Sequence, residues 1–128
     1  MLQANKAFSG FSVKDLDEAE EFYSHILALD VSRNEMGLEL HLSKDRIVFI
    51  YDKFDHKPAT FTILNFPVDD IDEAVDELKA KGVEFIRYDN MPASQDEKGI
   101  LRGKKAGYGP DITWFKDPFG NILSILSD

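Results

Sequence analysis

Glu39 and His41 are the side chains of this chain best suited to chemistry, two residues apart in Leu38-Glu-Leu-His-Leu42. Strand alternation puts both on one face and the three leucines on the other. A carboxylate beside an imidazole is half of a divalent-metal site, or a general acid/base pair. The same alternation describes a half-solvated sheet face with no chemistry, so both readings stay open. His25, after Ser24 on the polar side of a helix, and His56, in the turn-like Asp55-His-Lys-Pro58, read as surface histidines. The chain has no cysteine, which removes thiolate ligands, a Cys nucleophile and disulfides. No nucleophilic triad is visible, and the glycines near position 100 lack phosphate-loop spacing. Two aromatics are candidates for touching a ligand. Trp114 either lines a pocket or packs beneath a helix; Tyr108 either closes over a ligand or anchors its own loop.

Composition narrows the partners. A net charge of −9 argues against a nucleic-acid backbone, which needs clustered Lys and Arg. Arg102, Lys104 and Lys105 do cluster, but in a glycine-rich stretch that reads as a solvated loop. Acidity reads first as solubility and mildly favours a cationic ligand. No apolar run approaches the ~20 residues of a membrane span and no signal-like leader is seen, so a cytoplasmic protein without a membrane partner is expected. At 128 residues with 43% hydrophobic content, one domain over 1–128 is expected.

The elements that must position these residues occur twice. Val13-Lys-Asp-Leu-Asp-Glu-Ala19 returns as Val68-Asp-Asp-Ile-Asp-Glu-Ala74, a shift of 55 that also carries Phe11 onto Phe66. Asp15 and Asp70 fit N-caps, with Glu18 and Glu73 three residues on, as in a capping box. Leu16, Ala19, Phe22, Tyr23, Ile26 and Leu27 mark one apolar helical face; Ile71, Ala74, Val75 and Leu78 mark another, stopping at Gly82. Strands are expected over Lys6–Val13, Val31–Arg33, Glu35–Leu42 and Arg46–Tyr51. In the second half they are expected over Thr60–Val68, Glu84–Tyr88, Asp111–Lys116 and Ile122–Leu126, with a turn at Asp117-Pro-Phe-Gly120. The fold class is therefore α+β, two tandem βαβββ modules of about 1–57 and 58–128. Matching Ile50 to Ser124 shifts the last strands by 74, which leaves 19 extra residues between Asp89 and Pro110. That stretch, with Pro92, Ser94 and four glycines, reads as a poorly anchored excursion beside a binding site.

The duplicated strand-to-V-x-D-[LI] order with a terminal D-P-F-G-N-I-L resembles the vicinal oxygen chelate superfamily, the glyoxalase/bleomycin resistance/dioxygenase proteins, over nearly the whole chain. The resemblance implies two modules curled into a half-open cup that holds the ligand, and a homodimer. Its enzymes place His, Gln or Glu on the first and last strand of each module to hold a divalent metal. Here those positions fall on Phe8, Ile63, Ile50 and Ser124, so no metal or other cofactor is expected. Alternation then turns Phe8, Gly10 and Ser12, Val48, Ile50 and Asp52, Phe61, Ile63 and Asn65, and Ile122, Ser124 and Leu126 into the cup. Phe11, Val13, Phe49, Phe66 and Ile125 pack under the helices. Trp114 falls where fosfomycin-resistance relatives carry an aromatic lining the site. The expected function is metal-independent binding of an aromatic or amphipathic small molecule by Phe8, Ser12, Ile50, Asp52, Ile63, Asn65, Tyr108, Trp114 and Ser124. The alternative is a lyase, isomerase or dioxygenase with a metal relocated to Glu39 and His41.

Overall fold

Asp15 and Asp70 both adopt the extended backbone of an N-cap. Their carboxylates accept from the backbone N–H of Glu18 at 2.9 Å and of Glu73 at 3.0 Å. These caps, each worth about 1 kcal/mol over alanine, start α1, Leu16–Glu21, and α2, Ile71–Ala80. α2 buries Ile71 and Val75 and turns its acidic residues outward. α1 departs from the expected spacing: after Glu21 the chain widens into a π-helical turn, Phe22–Ile26. Consecutive Phe22 and Tyr23 are both buried there, and Tyr23 meets Phe11 and Phe22 at ring-centroid distances of 5.7 and 5.1 Å. Two bulky neighbours entering one core put the wider turn at this place.

The structure, a computed structural model, describes residues 1–91 and 94–128; Pro92 of the expected excursion lies outside the described residues. The chain divides into two compact units, Met1–Pro58 and Ala59–Asp128. The first unit holds β1 (Ser9–Val13), α1, β2 (Asp30–Arg33), β3 (Leu38–Ser43) and β4 (Arg46–Asp52), in sheet order β1-β4-β3-β2. β1 is parallel to β4 and the other neighbours are antiparallel. The second unit repeats this with β5 (Thr62–Pro67), α2, β6 (Phe85–Ile86), β8 (Asp111–Lys116) and β9 (Ile122–Ser127), in order β5-β9-β8-β6. The fold is thus α+β, with strand, helix and three strands occurring twice. Ala4–Lys6 is a 3-10 turn, so β1 starts later than expected. No helix among the described residues is long and apolar enough to cross a membrane.

The returning end of the excursion is held more firmly than its glycine content suggests. β7, Leu101–Arg102, pairs with β8 on the edge that β6 also uses. Phe85 and Ile86 oppose Phe115 and Trp114, then Leu101 and Arg102 oppose Ile112 and Asp111. One antiparallel line along β8 is therefore built from two pieces that are separate in sequence. The returning piece is well anchored. Ile100 and Leu101 are buried, and the Thr113 hydroxyl donates to the Gly99 carbonyl at 2.8 Å. Arg102 reaches Asp72 at 2.8 Å, Asp96 at 3.0 Å and Asp111 at 3.6 Å. A short helix α3, Gly103–Ala106, follows. A Cβ on Gly103 would stand 2.2 Å from the Pro110 carbonyl oxygen, so this glycine serves a close backbone approach rather than looseness.

The last turn is held from inside. Buried Asp117 accepts from the backbone N–H groups of Phe119 and Asn121 and from the Asn121 amide, each at 2.9 Å. That fixes the β8–β9 hairpin and with it the register of the face described next.

Candidate functional site

Strand register decides which side chains share a face. In the first unit Phe11 opposes Ile50, which opposes Leu38, and Val48 opposes Leu40. These residues line the face covered by α1 and its π turn, and Ile50 is 0% exposed. Ile50 and Val48 were expected in the cup; they are core. Asp52 goes with them, because it opposes Val13 on the helix side. The error is a slip of one residue. Phe11 opposes Ile50 while its repeat partner Phe66 opposes Ile125, so the last strands correspond at a shift of 75, not 74. A one-residue slip turns every side chain to the other face. The counterpart of Ser124 is therefore Phe49, which was expected under the helix and instead faces away from it.

The open face of the first unit carries Gly10, Phe49, Glu39 and Ser32 in one row across β1, β4, β3 and β2. Ser12 and Tyr51 form the next row, and Tyr51 stacks on Phe49 with ring centroids 6.0 Å apart. The Ser12 hydroxyl lies 2.6 Å from Nδ1 of His56, so this histidine is engaged rather than a bare surface group. Phe8, just before β1, is 62% exposed. Glu39 and His41 do share this face. His41 Nε2 lies 2.7 Å from the Ser32 hydroxyl and 3.8 Å from Glu39 Oε1, and the Asn34 amide donates to Glu39 Oε2 at 3.5 Å. Serine and carboxylate meet the same ring nitrogen. A relay needs them on opposite nitrogens, so this is not a nucleophile–base–acid chain.

The open face of the second unit carries Asn65, Ser124, Trp114 and Ile86 in the equivalent row across β5, β9, β8 and β6. The Ser124 hydroxyl donates to Asn65 Oδ1, and Ser124 is 0% exposed beneath its larger neighbours. Tyr88 stands edge-on to Trp114, with centroids 5.3 Å apart and planes at 85°. Burial pushes the Tyr88 phenol above its ordinary range. Its backbone N–H donates to Gln95 Oε1 at 2.7 Å, while the Gln95 amide donates to the carbonyls of Ile86 and Gly99 at 2.9 and 2.6 Å. Tyr88 and Gln95 are absent from the expected set. The alternation of Ile86 and Tyr88 in the expected strand Glu84–Tyr88 was the available sign of the first; nothing local marked Gln95.

Of the remaining expected residues, Ile63 falls in the register break between Thr62 and Leu64, half-buried and outside the row. Tyr108 follows α3, is 61% exposed and gives its backbone N–H to Gly103. A recess of about 430 Å³ opens at Pro67, Val68, Asp69, Leu126 and Asp128. Pro67 opposes Leu126, two residues beyond the Asn65–Ser124 pair on the same face. The structure thus brings Asn65, Ser124 and Trp114 together. It sets Ile50 and Asp52 on the helix side, and Phe8, Ile63 and Tyr108 outside the row.

The metal-holding positions of enzymatic relatives become Phe8, Phe49, Ile63 and Ser124. Three have no donor atom, and the Ser124 hydroxyl proton is committed to Asn65. A catalytic divalent ion takes imidazole or carboxylate donors, so these residues do not fit the group. Among the described residues no cluster of three or more His, Cys, Asp or Glu side chains could hold one elsewhere.

Comparisons with known proteins agree on the fold. The chain is similar to a fosfomycin resistance protein from Listeria monocytogenes, with a TM-score of 0.67 and 16% identity, over 95% of this chain and 91% of that one. It is similar to a glyoxalase family protein from Enterococcus faecalis, with a TM-score of 0.66 and 20% identity, over 93% and 94%. It is also similar to an antibiotic binding protein from Streptomyces, with a TM-score of 0.61 and 22% identity, over 94% of both chains. At such identities these likenesses concern the fold alone. No curated protein is matched. The family profile of the glyoxalase/bleomycin resistance protein/dioxygenase superfamily matches residues 8–125. With that span and the twofold strand–helix–three-strand order, the chain belongs to the glyoxalase/bleomycin resistance protein/dioxygenase superfamily.

Proposed function

We propose that the chain is a small-molecule-binding protein that works without a divalent metal, and that it holds an aromatic or amphipathic ligand on the open face of the second unit. The observation that carries this reading is the row Asn65–Ser124–Trp114. A small, fully covered serine separates an exposed amide from a half-buried indole, the mix of apolar surface and few polar handles usual in ligand sites. The similarity to an antibiotic binding protein supports it at the level of fold. Binding serves sequestration, sensing or delivery, in a cytoplasmic homodimer. Trp114 is the single tryptophan, so its emission reports one place. Titration with a panel of aromatic compounds is expected to shift that emission saturably, unchanged by chelator. Ser124→Phe puts bulk between the amide and the indole, leaves Trp114 the single tryptophan, and is expected to abolish the shift. A panel with no saturable response, or a response lost with chelator and restored by metal, refutes the reading.

A second reading, an enzyme using Glu39 and His41 as relocated metal ligands, has one observation in its favour, their shared face at 3.8 Å. Two donors fall one short of the three protein ligands usual in catalytic zinc sites.

A further inference from the structure

We infer that the ligand group read by Asn65 is a neutral hydrogen-bond acceptor, a carbonyl oxygen borne by a planar aromatic body, and not a cationic group. The inference rests on the reading of the second unit's open face as the ligand site, and it deepens that reading.

It starts from a buried hydroxyl. Ser124 is 0% exposed, and its hydroxyl is bonded to Asn65 Oδ1. A serine hydroxyl has one proton to give, and buried donors are almost always satisfied. No buried side-chain polar atom is left unpaired among the described residues. Turning the Asn65 amide over would present an N–H₂ to that hydroxyl and strand its proton. Ser124 therefore fixes the orientation of Asn65, with the carbonyl toward β9 and Nδ2 away from it. Asn65 is exposed, so Nδ2 is offered to whatever lies on the face. An N–H₂ group only donates, so its complement is an acceptor.

Spacing and charge complete the class. Asn65 and Trp114 flank Ser124 on adjacent strands, so they are about 10 Å apart across the sheet at ~4.8 Å per strand. One or two fused rings bridging Asn65 and Trp114 above the covered Ser124 match that distance, with one edge at the amide and the other at the indole. Trp114 is itself held edge-on by Tyr88. No member of the row, Asn65, Ser124, Trp114 or Ile86, carries a charge. The row itself gives a carboxylate no cation, since the lysine of this face, Lys116, stands one row away opposite Ile122, and the chain's net charge is −9. An ammonium would meet the donor Nδ2 head-on. A neutral ring carbonyl meets neither penalty.

The test uses three naphthalenes of matched shape, 2-acetylnaphthalene, 2-ethylnaphthalene and 2-(aminomethyl)naphthalene, titrated against the whole chain by calorimetry and Trp114 emission. The ketone is expected to bind about tenfold tighter than either other probe, the discrimination one unmatched hydrogen bond gives. Asn65→Asp keeps an acceptor for the Ser124 hydroxyl but replaces the donor; it is expected to reverse the order of ketone and amine. Asn65→Leu is expected to bring the ketone down to the ethyl compound. Should either variant fail to fold, the wild-type ranking alone decides. Equal binding of all three probes, abolished by Ser124→Phe, overturns the acceptor inference and leaves the site standing. No saturable binding of any probe, or binding indifferent to Ser124→Phe, overturns the site and the inference with it.

Discussion

The two open faces are built on one scaffold and furnished in opposite ways. Row for row, Gly10–Phe49–Glu39–Ser32 of the first unit answers to Asn65–Ser124–Trp114–Ile86 of the second. In the first, bulk occupies the strand where the second has its small floor, and charge occupies the strand where the second has its indole. A ligand placed on the first face as it would lie on the second would be blocked there by the Phe49 ring. Duplication fixes where side chains stand and leaves the chemistry free, which is why one family supports binding and catalysis alike. The parts of the repeat that stay alike are structural. In both units the helix's first-turn aspartate is reached by an arginine, Asp17 by Arg33 at 2.6 Å and Asp72 by Arg102 at 2.8 Å.

The face assignment itself is the first thing to break. Ile50→Ala removes a fully buried side chain beneath α1 and is expected to cost about 2–5 kcal/mol in urea unfolding. Phe49→Ala, one residue away but on the open side, is expected to cost about 1 kcal/mol. The reverse order would return Ile50 to the open face. Next in size is the anchor of the returning piece. Gly103→Ala puts a methyl against the Pro110 carbonyl, and about 1–3 kcal/mol is expected. Amide exchange in residues 99–102 should rise with it, whereas exchange in the first unit should not change.

These two places also mark what was and was not legible in the sequence. The V-x-D caps, the Asp117 turn and the strand order follow from residues whose local chemistry has one main outcome, so the twofold βαβββ plan could be read directly. Arg46-Ile-Val-Phe-Ile-Tyr-Asp52 is a different case. Its run of apolar residues has no alternation, so nothing within it says which face is which, and only its register against Phe11 does. At the returning end of the excursion, glycine content does not mean looseness. Gly103 is needed for contact, and Arg102 gathers Asp96 and Asp111 from either side of it and Asp72 from the distant α2. At the site, Trp114 and Ser124 could be placed together because their strands flank the readable hairpin, and Asn65 because alternation along β5 turns it to the same face. Tyr88 and Gln95 could not, since their position depends on where the chain leaves and rejoins β8.

The Asp72–Arg102 contact gives a smaller, pH-dependent effect. The Arg102 guanidinium, helped by Lys98 and opposed by burial, holds the Asp72 carboxyl at about 2, below its ordinary 3.8. Asp96 is also held low: burial alone would raise it, but the Ile100 N–H, Arg102 and the Lys98 N–H outweigh that. A depressed folded value stabilises above the ordinary value and is lost as pH falls through the folded one. Stability of the second unit is therefore expected to decline between about pH 4 and 2. Solvent screening at Asp72 limits its share to about 1 kcal/mol or less. Asp72→Asn should flatten that part of the acid curve while lowering stability at neutral pH, and an unchanged curve would remove the pair from the account.

The smallest expected effect sharpens the contrast between the faces most. Glu39 and His41 are the chemically able residues of the first unit, yet Ser32 and Asn34 already occupy them, and both Ser32 and Glu39 meet one ring nitrogen. If ligand recognition belongs to the second face, His41→Ala and Glu39→Gln should change the affinity for the aromatic probes by less than about twofold, with or without added zinc. Trp114→Leu should weaken binding by at least about tenfold, read by calorimetry since the fluorophore is gone. If zinc instead binds the wild type stoichiometrically and the His41 variant loses it, the first face holds the function. The second row would then be its bystander, and the contrast drawn between the two faces would be inverted.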